Sequence, residues 1–120
     1  MKRIGLVEDN PDNRFLVCTI LEDLYDIDEC ETGREALEGL IANKPDLVLL
    51  DISLPEMDGP EVLEHIRAAD NLKDLPVIAL TAHAMAGDRE KYLAMGFDDY
   101  LAKPIEDDDD LINAIKNLLD

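Results

Sequence analysis

The chain has 120 residues, 47% of them hydrophobic, and a formal net charge of −18 that comes from 29 acidic and 11 basic side chains. This length and this apolar fraction indicate one domain with a real core and exclude a disordered acidic tail. The strongly acidic balance excludes nucleic acid as a partner, and the sequence predicts no membrane span because no apolar run is long enough.

The two cysteines, Cys18 and Cys30, do not form a cluster with metal-binding spacing. Cys30 ends an alternating run and is expected in the core. Cys18 lies in a helical pattern, and no basic neighbour suggests a lowered pKa. We therefore expect unreactive thiols and a location in the reducing cytoplasm.

Strand-like and helix-like segments alternate along the chain. The apolar run 4–7 comes first, and a turn then leads to residues 16–24, where apolar side chains recur at helical spacing. Residues 25–31 alternate and predict a weaker strand. Thr32 and Glu35 then have the spacing of a capping box, which predicts the start of a second helix.

The middle of the chain continues the same alternation. Residues 47–50 are apolar on both faces, as expected for a central parallel strand. Pro60 is well placed to begin the helix that follows. Another apolar run, residues 77–80, predicts the fourth strand.

The last third predicts two helices around one short strand. The fourth helix includes Met85 and ends at Gly96, and the last one covers residues 111–119. A strand around Tyr100 and Leu101 lies between them. Five βα units in succession indicate an α/β protein of the flavodoxin-like class, with a five-stranded parallel sheet of order 2-1-3-4-5 and helices on both faces.

Four of the predicted strands run directly into polar side chains. Glu8 and Asp9 follow the first, Asp51 the third, Thr81 the fourth and Lys103 the fifth. Each alone has a plainer explanation as a helix cap or a solvated side chain. Together they indicate a site, because the carboxyl ends of parallel strands meet at one edge of the sheet, where open α/β sheets bind ligands.

The residue types at this edge suit phosphoryl chemistry. Three carboxylates repel one another unless a cation lies among them, and Mg²⁺ accepts carboxylate ligands while keeping positions for phosphate oxygens. Asp51 is the best candidate for a nucleophile that forms an acyl phosphate, because it ends the central strand. Glu8 and Asp9 are better placed as metal ligands, while Lys103 and Thr81 can bind phosphoryl oxygens.

Over essentially its whole length, the chain resembles the receiver domain of bacterial response regulators. The motifs that carry the resemblance are Val7-Glu8-Asp9-Asn10, Leu49-Leu50-Asp51-Ile52-Ser53-Leu54-Pro55-Glu56-Met57-Asp58-Gly59, Ala79-Leu80-Thr81-Ala82 and Lys103-Pro104. One departure is Glu8, which stands where many members have Asp. Its longer side chain is expected to reach the ion through water or by a different rotamer.

The resemblance implies a role for each residue of the motifs within a receiver domain that covers residues 1–120. The residues and their implied roles are Asp51 as phosphoacceptor, Glu8, Asp9, Asp51 and the Ser53 backbone carbonyl as Mg²⁺ ligands, and Thr81, Ala82 and Lys103 as the phosphate-binding group. Thr81 and Tyr100 are the implied switch pair, and the bond before Pro104 is expected to be cis.

The resulting expectation is a single-domain response regulator rather than a classical enzyme. Such a regulator catalyses only its own phosphorylation and dephosphorylation. A histidine kinase or a histidine phosphotransfer protein would donate the phosphoryl group from phosphohistidine. The signal would be a change in the face formed by the fourth helix, the fifth strand and the fifth helix. Output through a downstream protein is expected, since no effector domain follows Asp120.

Three other interpretations stay open at this point. A receiver domain cut from a hybrid kinase has the same motifs, although the ordinary Met1 start argues mildly against it. A Mg²⁺-dependent phosphatase of the haloacid dehalogenase type would need an acid where Ser53 stands. A purely structural acidic module would leave the five strand-end residues unexplained. Ser53 and His83 are the positions where we expect the lifetime of the phosphoryl group to be tuned.

Overall fold

A computed structural model describes residues 1–82, 85 and 87–119. Its strands are β1 (Arg3–Val7), β2 (Asp26–Cys30), β3 (Leu47–Asp51), β4 (Val77–Thr81) and β5 (Asp99–Ala102). Its helices are α1 (Pro11–Leu21), α2 (Gly33–Ala42), α3 (Gly59–Ala68), α4 (Asp88–Met95) and α5 (Asp108–Leu119). Within these described ranges, no helix has both the length and the apolar character that crossing a bilayer requires.

The strands form one parallel sheet in the order β2-β1-β3-β4-β5. The predicted flavodoxin-like fold and its strand order are therefore confirmed. The central strand β3 is buried along its whole length. Val48 and Leu50 pack with α2, α3 and α4, whereas Leu47 and Leu49 pack with α1 and α5. This division follows from the alternation of side chains along a strand that has helices on both faces.

The predicted capping box at the start of α2 is half correct. The Thr32 hydroxyl accepts a hydrogen bond from the Glu35 backbone N–H at 3.1 Å, as predicted. The Glu35 carboxylate, however, accepts from the backbone N–H of Glu31 at 3.3 Å, one residue earlier than the reciprocal bond of a capping box. Helix α2 thus begins where the sequence predicts, but with a different second hydrogen bond.

The fourth helix begins later than the sequence predicts. It starts at Asp88, so Met85 lies ahead of it, with a side chain that is 70% exposed. Gly87 adopts a left-handed conformation with φ of 90°, which interrupts the helical path. The Asp88 carboxylate accepts a hydrogen bond from the Met85 backbone N–H at 2.8 Å and holds this turn. The predicted end of the helix at Gly96 is confirmed.

Arg67 connects the end of α4 to the segments that lead into β4 and β5. Its guanidinium donates to the carbonyl oxygens of Gly96 at 2.8 Å and of Leu75 at 2.6 Å. It also pairs with the Asp98 carboxylate at 3.0 Å, and that carboxylate accepts from the Val77 backbone N–H. The segments that precede β4 and β5 are therefore held together by one side chain of α3.

Gly59 lets the start of α3 pass close to the end of β3. A Cβ at this position would lie 2.5 Å from the Asp51 carbonyl oxygen, which is backbone and cannot move aside. We therefore expect Gly59→Ala to lower the free energy of unfolding by about 1–3 kcal/mol, the usual range for overpacking. Urea denaturation measures this change.

Gly39 provides the matched control for Gly59. A Cβ at Gly39, in the middle of α2, has no neighbouring heavy atom within 4 Å. Gly39→Ala should therefore raise the free energy of unfolding by up to about 1 kcal/mol, because alanine favours a helix over glycine. Equal effects of the two substitutions would show that the contact at Gly59 does not limit stability.

Candidate functional site

The polar residues predicted at the strand ends lie at the carboxyl edge of the sheet, as predicted. Glu8 and Asp9 follow β1, Asp51 ends β3, Thr81 ends β4 and Lys103 follows β5. Because these four strands are neighbours in the sheet, residues far apart in the chain meet there. The peptide bond between Lys103 and the proline after it is cis, as the resemblance implies.

Lys103 bridges two of the three acids. Its Nζ lies 2.9 Å from Glu8 Oε1 and 3.0 Å from Asp51 Oδ1. The side chains of Glu8 and Asp51 are only 1% and 2% exposed, and that of Lys103 is 12% exposed. The sequence indicates that a cation must lie among the acids, and in this structure Lys103 is that cation.

The burial of this group changes its protonation behaviour. Burial, the largest cause, and a hydrogen bond with Asp51 together raise the pKa of Glu8 to about 7, against the opposing hydrogen bond from Lys103. For Lys103, burial by itself lowers the pKa, but the hydrogen bonds and charges of Glu8 and Asp51 outweigh it, so the pKa is raised. The two acids therefore hold the ammonium charged, while Glu8 is poised to exchange a proton near neutral pH.

Backbone amides fix the orientation of both buried acids. The Asn10 backbone N–H donates to Glu8 Oε2 at 3.1 Å, and the Ser53 backbone N–H donates to Asp51 Oδ1 at 3.1 Å. The expected contribution of Ser53 is its carbonyl, as a metal ligand, and that role stays a prediction. Its amide is an additional contact, which holds the Asp51 carboxylate in place.

Arg14 contacts the acidic loop that follows β1. The site predicted from the sequence does not include this residue. Its Nη1 donates to the Glu8 carbonyl oxygen at 2.8 Å, and its other nitrogens face Glu31 at 3.2 Å and Glu29 at 3.6 Å. Arg14 therefore ties the loop after β1 to β2 and the turn that follows it. The one signal in the sequence is a basic residue near the start of the helix that follows an acidic loop.

Glu8, Asp9 and Asp51 form a set of oxygen ligands that fits a hard divalent cation. Each offers one carboxylate oxygen, and these oxygens lie within 4.8 Å of one another. Glu8 and Asp51 are buried, whereas Asp9 is exposed and leaves one side open to water. Carboxylates with access to water suit Mg²⁺, which keeps several water ligands when it binds protein.

Thr81 and Tyr100 occupy neighbouring strands on one side of the sheet. Thr81 is 2% exposed, and Ala82, directly after it, is exposed. Tyr100 pairs in register with Ala79 and packs against the layer that contains α3 and α4. Since Thr81 follows Ala79 by two residues, strand alternation places it on the same face as Tyr100. Their roles stay predictions, and the expectation for His83 lies outside the described residues.

Neither cysteine behaves as an activated thiol. Burial, the largest cause, and the nearby Glu29 carboxylate together raise the pKa of Cys18 to about 11. Burial also raises the pKa of Cys30, which packs against the apolar layer beneath α2. Both thiols are free and protonated at neutral pH, in agreement with the prediction that they are not reactive.

Residues 4–116 match the family model described as the response regulator receiver domain. The chain therefore belongs to this family, and it is a receiver domain of two-component signalling of the phosphoacceptor type. Such a domain is a signalling module rather than a classical enzyme.

Two curated relatives represent different settings of this domain. Over 103 residues the chain is 46% identical to the signal transduction histidine-protein kinase BarA of Escherichia coli (strain K12). This match covers 85% of the chain but only 11% of the kinase. Over 105 residues it is 41% identical to the polar-differentiation response regulator DivK of Brucella anthropi, and this match covers 87% of the chain and 85% of DivK. The chain thus spans most of the length of DivK but only about a tenth of the length of BarA.

Solved structures show the same architecture. The receiver domain of the sensor histidine kinase PA1611 of Pseudomonas aeruginosa PAO1 superposes with a TM-score of 0.89 at 37% identity, covering 98% of this chain and 97% of that one. That structure has a magnesium ion coordinated in its active site cleft. The chemotaxis protein CheY4 of Vibrio cholerae has a TM-score of 0.90 at 26% identity, and the match covers 99% of each chain.

Proposed function

We propose that this receiver domain accepts a phosphoryl group on Asp51 from the phosphohistidine of a histidine kinase or a histidine phosphotransfer protein. The observation that carries the proposal is the buried Asp51 carboxylate at the end of the central strand, 3.0 Å from the Lys103 ammonium and grouped with Glu8 and Asp9. An Asp51 oxygen attacks the phosphorus, and the P–N bond to the donor imidazole breaks. The bonding electrons stay on the imidazole nitrogen, which takes up a proton.

Glu8, Asp9, Asp51 and the Ser53 carbonyl would hold the Mg²⁺ ion. The ion would supply positive charge beside the phosphoryl oxygens, as in phosphoryl transfer generally. Lys103, Thr81 and the backbone of Ala82 would bind those oxygens. Lys103 would exchange its present carboxylate partners for the phosphoryl group, to which it offers a compact charge.

A phosphorylation assay tests the proposed function. The protein is incubated with Mg²⁺ and either a phosphorylated histidine phosphotransfer domain or a small acyl phosphate, and the modified residue is identified by mass spectrometry. We expect one acyl phosphate, labile to hydroxylamine, whose formation requires Mg²⁺. Absence of any labelling from both donors, or a stable phosphate on a hydroxyl group, would refute the proposal.

A place within a hybrid kinase is the second candidate setting, favoured by the 46% identity to the receiver part of BarA. In that setting the phosphoryl group passes on to a histidine phosphotransfer domain. In the stand-alone setting, which resembles that of DivK, the group stays on Asp51 and changes partner binding through α4, β5 and α5. Back-transfer of the phosphoryl group from labelled protein to a panel of phosphotransfer domains distinguishes the two settings, because only the hybrid-kinase setting requires this transfer to be fast.

The surroundings of the domain follow from the same features. The net charge of −18 opposes contact with nucleic acid and favours partners with a basic or apolar surface. Free thiols and the phosphohistidine donor fit the cytoplasm, where we place the domain. We propose no membrane partner for the domain.

Mg²⁺ should stabilise the folded domain in a pH-dependent manner. At one hundred times the dissociation constant, linkage adds about 2.7 kcal/mol to the free energy of unfolding, roughly a ten-degree rise in melting temperature. The ordinary pKa of a glutamate is 4.5 and that of folded Glu8 is about 7, so metal-free stability falls as pH rises between these values. The ion must displace this proton, so its affinity should weaken about tenfold per pH unit below 7.

Melting curves at several pH values, with and without Mg²⁺, measure the effect. A monovalent salt at matched ionic strength controls for screening of the acidic surface and should give a much smaller rise. Glu8→Gln removes the titrating group and should flatten the pH dependence of the Mg²⁺ effect. Equal shifts with Mg²⁺ and with the monovalent salt would mean that the domain has no specific ion site.

Thr81→Ala should uncouple phosphorylation from the face formed by α4, β5 and α5. A hydrogen bond to a charged oxygen contributes about 1.5–3 kcal/mol, so its loss should reduce the phosphorylation-dependent gain in partner affinity roughly tenfold or more. Labelling of Asp51 should continue, since the nucleophile and Lys103 are intact. Thr81→Ser keeps the hydroxyl and is the matched control. Partner titrations by calorimetry decide the matter, and an unchanged gain in the Ala variant would remove Thr81 from the switch.

A further inference from the structure

Three aromatic side chains form a cluster between α4 and β5. The Tyr92 ring lies with its centroid 6.0 Å from that of Phe97, at an interplanar angle of 88°. On another side it lies 6.0 Å from the Tyr100 ring, at an angle of 44°. Both separations are within the range of favourable aromatic contacts. Tyr92 is thus the link between the other two rings.

Tyr92 is also the main apolar attachment of α4. Among the α4 residues it alone is buried, with 5% of its surface exposed. The other large apolar residues of the helix, Leu93 and Met95, are 39% and 44% exposed. The first four residues of α4 are charged and face solvent or lie at its margin. A displacement of the Tyr92 ring therefore has to move α4 or the neighbouring Tyr100.

We propose that Tyr92 is a positioning residue for Tyr100, holding the Tyr100 ring in its half-buried place and transmitting any change in that place to α4. The inference rests on the proposed function and on the switch role that the resemblance implies for Tyr100, which we take to be a change of ring position when Asp51 is phosphorylated. It adds a residue that lies outside the phosphoryl site and that belongs to neither the metal ligands nor the phosphate-binding group.

The sheet explains why this contact lies on the path from the site. Tyr100 pairs in register with Ala79, a small residue that leaves room on the face it shares with Thr81. Thr81 is the residue of this face nearest the site, and the Tyr92 ring lies with its centroid 6.0 Å from that of Tyr100. Because coupling between two sites is reciprocal, weakening the Tyr92 contact should bias Tyr100 even without a phosphoryl group.

The size of the effect follows from the strength of an aromatic pair. Such a contact favours its geometry by a factor of roughly three to ten. Tyr92→Leu removes the ring but keeps an apolar side chain. It should change by that factor the ratio between the present Tyr100 position and the position that Tyr100 would take on phosphorylation. Tyr92→Phe keeps the ring and should leave the ratio nearly unchanged.

The aromatic content of the chain allows a direct measurement. The chain has three tyrosines and no tryptophan, so Tyr25→Phe with either substitution at position 92 leaves Tyr100 as the single tyrosine. Fluorotyrosine incorporated into these proteins then gives one ¹⁹F NMR signal, which reports the surroundings of Tyr100. We expect the signal of the Leu variant to differ from that of the Phe variant without phosphoryl transfer. Its change on phosphorylation should also differ.

The two arms of the experiment separate the inference from the proposed function. Loss of the neighbouring ring shifts the signal by itself, so the inference is judged on the change that phosphorylation causes, and an equal change in the Leu and Phe variants would overturn it. Labelling is followed in the same samples, and its failure in the Tyr92→Phe protein would count against the proposed function alone. Tyr92→Met replaces the Leu variant if that protein does not fold. Phe97→Leu, which removes a ring that is not paired with Tyr100, should shift the signal less.

Discussion

We expect the Asp51→Asn protein to take up phosphoryl groups about a thousandfold more slowly than the unaltered chain, or not at all. The amide keeps the shape of the carboxylate but has no anionic oxygen to attack phosphorus, and loss of a nucleophile is among the largest single effects in catalysis. Asp51 is the expected nucleophile because its carboxylate is buried at the end of β3, with the Lys103 ammonium 3.0 Å away. Labelling by a phosphorylated phosphotransfer domain, followed by mass spectrometry, measures the loss.

The matched control is Asp23→Asn, which makes the same chemical change at an exposed position between α1 and β2. It should be labelled like the unaltered chain. The neighbouring acids provide a stricter comparison, since Asp9→Asn keeps the nucleophile and should be rescued in part by a higher Mg²⁺ concentration. Undiminished labelling of the Asp51→Asn protein would show that the nucleophile is assigned to the wrong residue. A phosphoryl group found on Glu8 of the unaltered chain would show the same.

The second large effect is expected for Lys103→Met. The substitution leaves Glu8 and Asp51 buried without their shared cation, and removing one partner of a buried ion pair lowers the free energy of unfolding by about 3–5 kcal/mol. Glu8 can relieve part of this loss by taking up a proton, so the loss should be smaller below its pKa of about 7 than above it. Urea denaturation without Mg²⁺, at one pH on each side of this value, measures the difference.

Mg²⁺ should restore much of the lost stability, because it neutralises the same carboxylates. Lys44→Met removes an exposed lysine and should change stability little. The Lys103→Met protein should also respond poorly to phosphorylation, since a neutral side chain of similar length cannot pair with the phosphoryl group. A variant of unchanged stability with a normal partner response would reject both roles of Lys103.

Most of the fold was predictable because its signals are local. The apolar run at residues 47–50 marks β3 through burial on both faces, and Gly96 marks the end of α4. The start of α4 was not predictable in the same way. Met85 has the character of a helix residue, but the conformation of Gly87 and the bond from Met85 to Asp88 place the start of the helix after it. Boundaries of this kind depend on a few turn contacts rather than on periodicity.

The sequence predicts which polar residues lie together at the carboxyl edge of the sheet, but not the contacts among them. The sequence assigns Lys103 to the phosphoryl group and leaves the acids for a metal ion to neutralise, whereas the structure pairs Lys103 with Glu8 and Asp51 directly. It also adds Arg14, whose guanidinium holds the Glu8 carbonyl. The aromatic link between Tyr92 and Tyr100 likewise joins residues that the sequence places on separate elements.

The sequence by itself determined the order of strands and helices and the identity of the polar residues at each strand end, because both depend on neighbours along the chain. The tertiary structure alone decided which charges touch and how deeply they are buried. These properties depend on the distances that the sheet sets between strands, here from Glu8 to Lys103 across 95 positions of the chain. Burial among those strands is what raises the pKa of Glu8 to about 7 and makes Lys103 its structural partner.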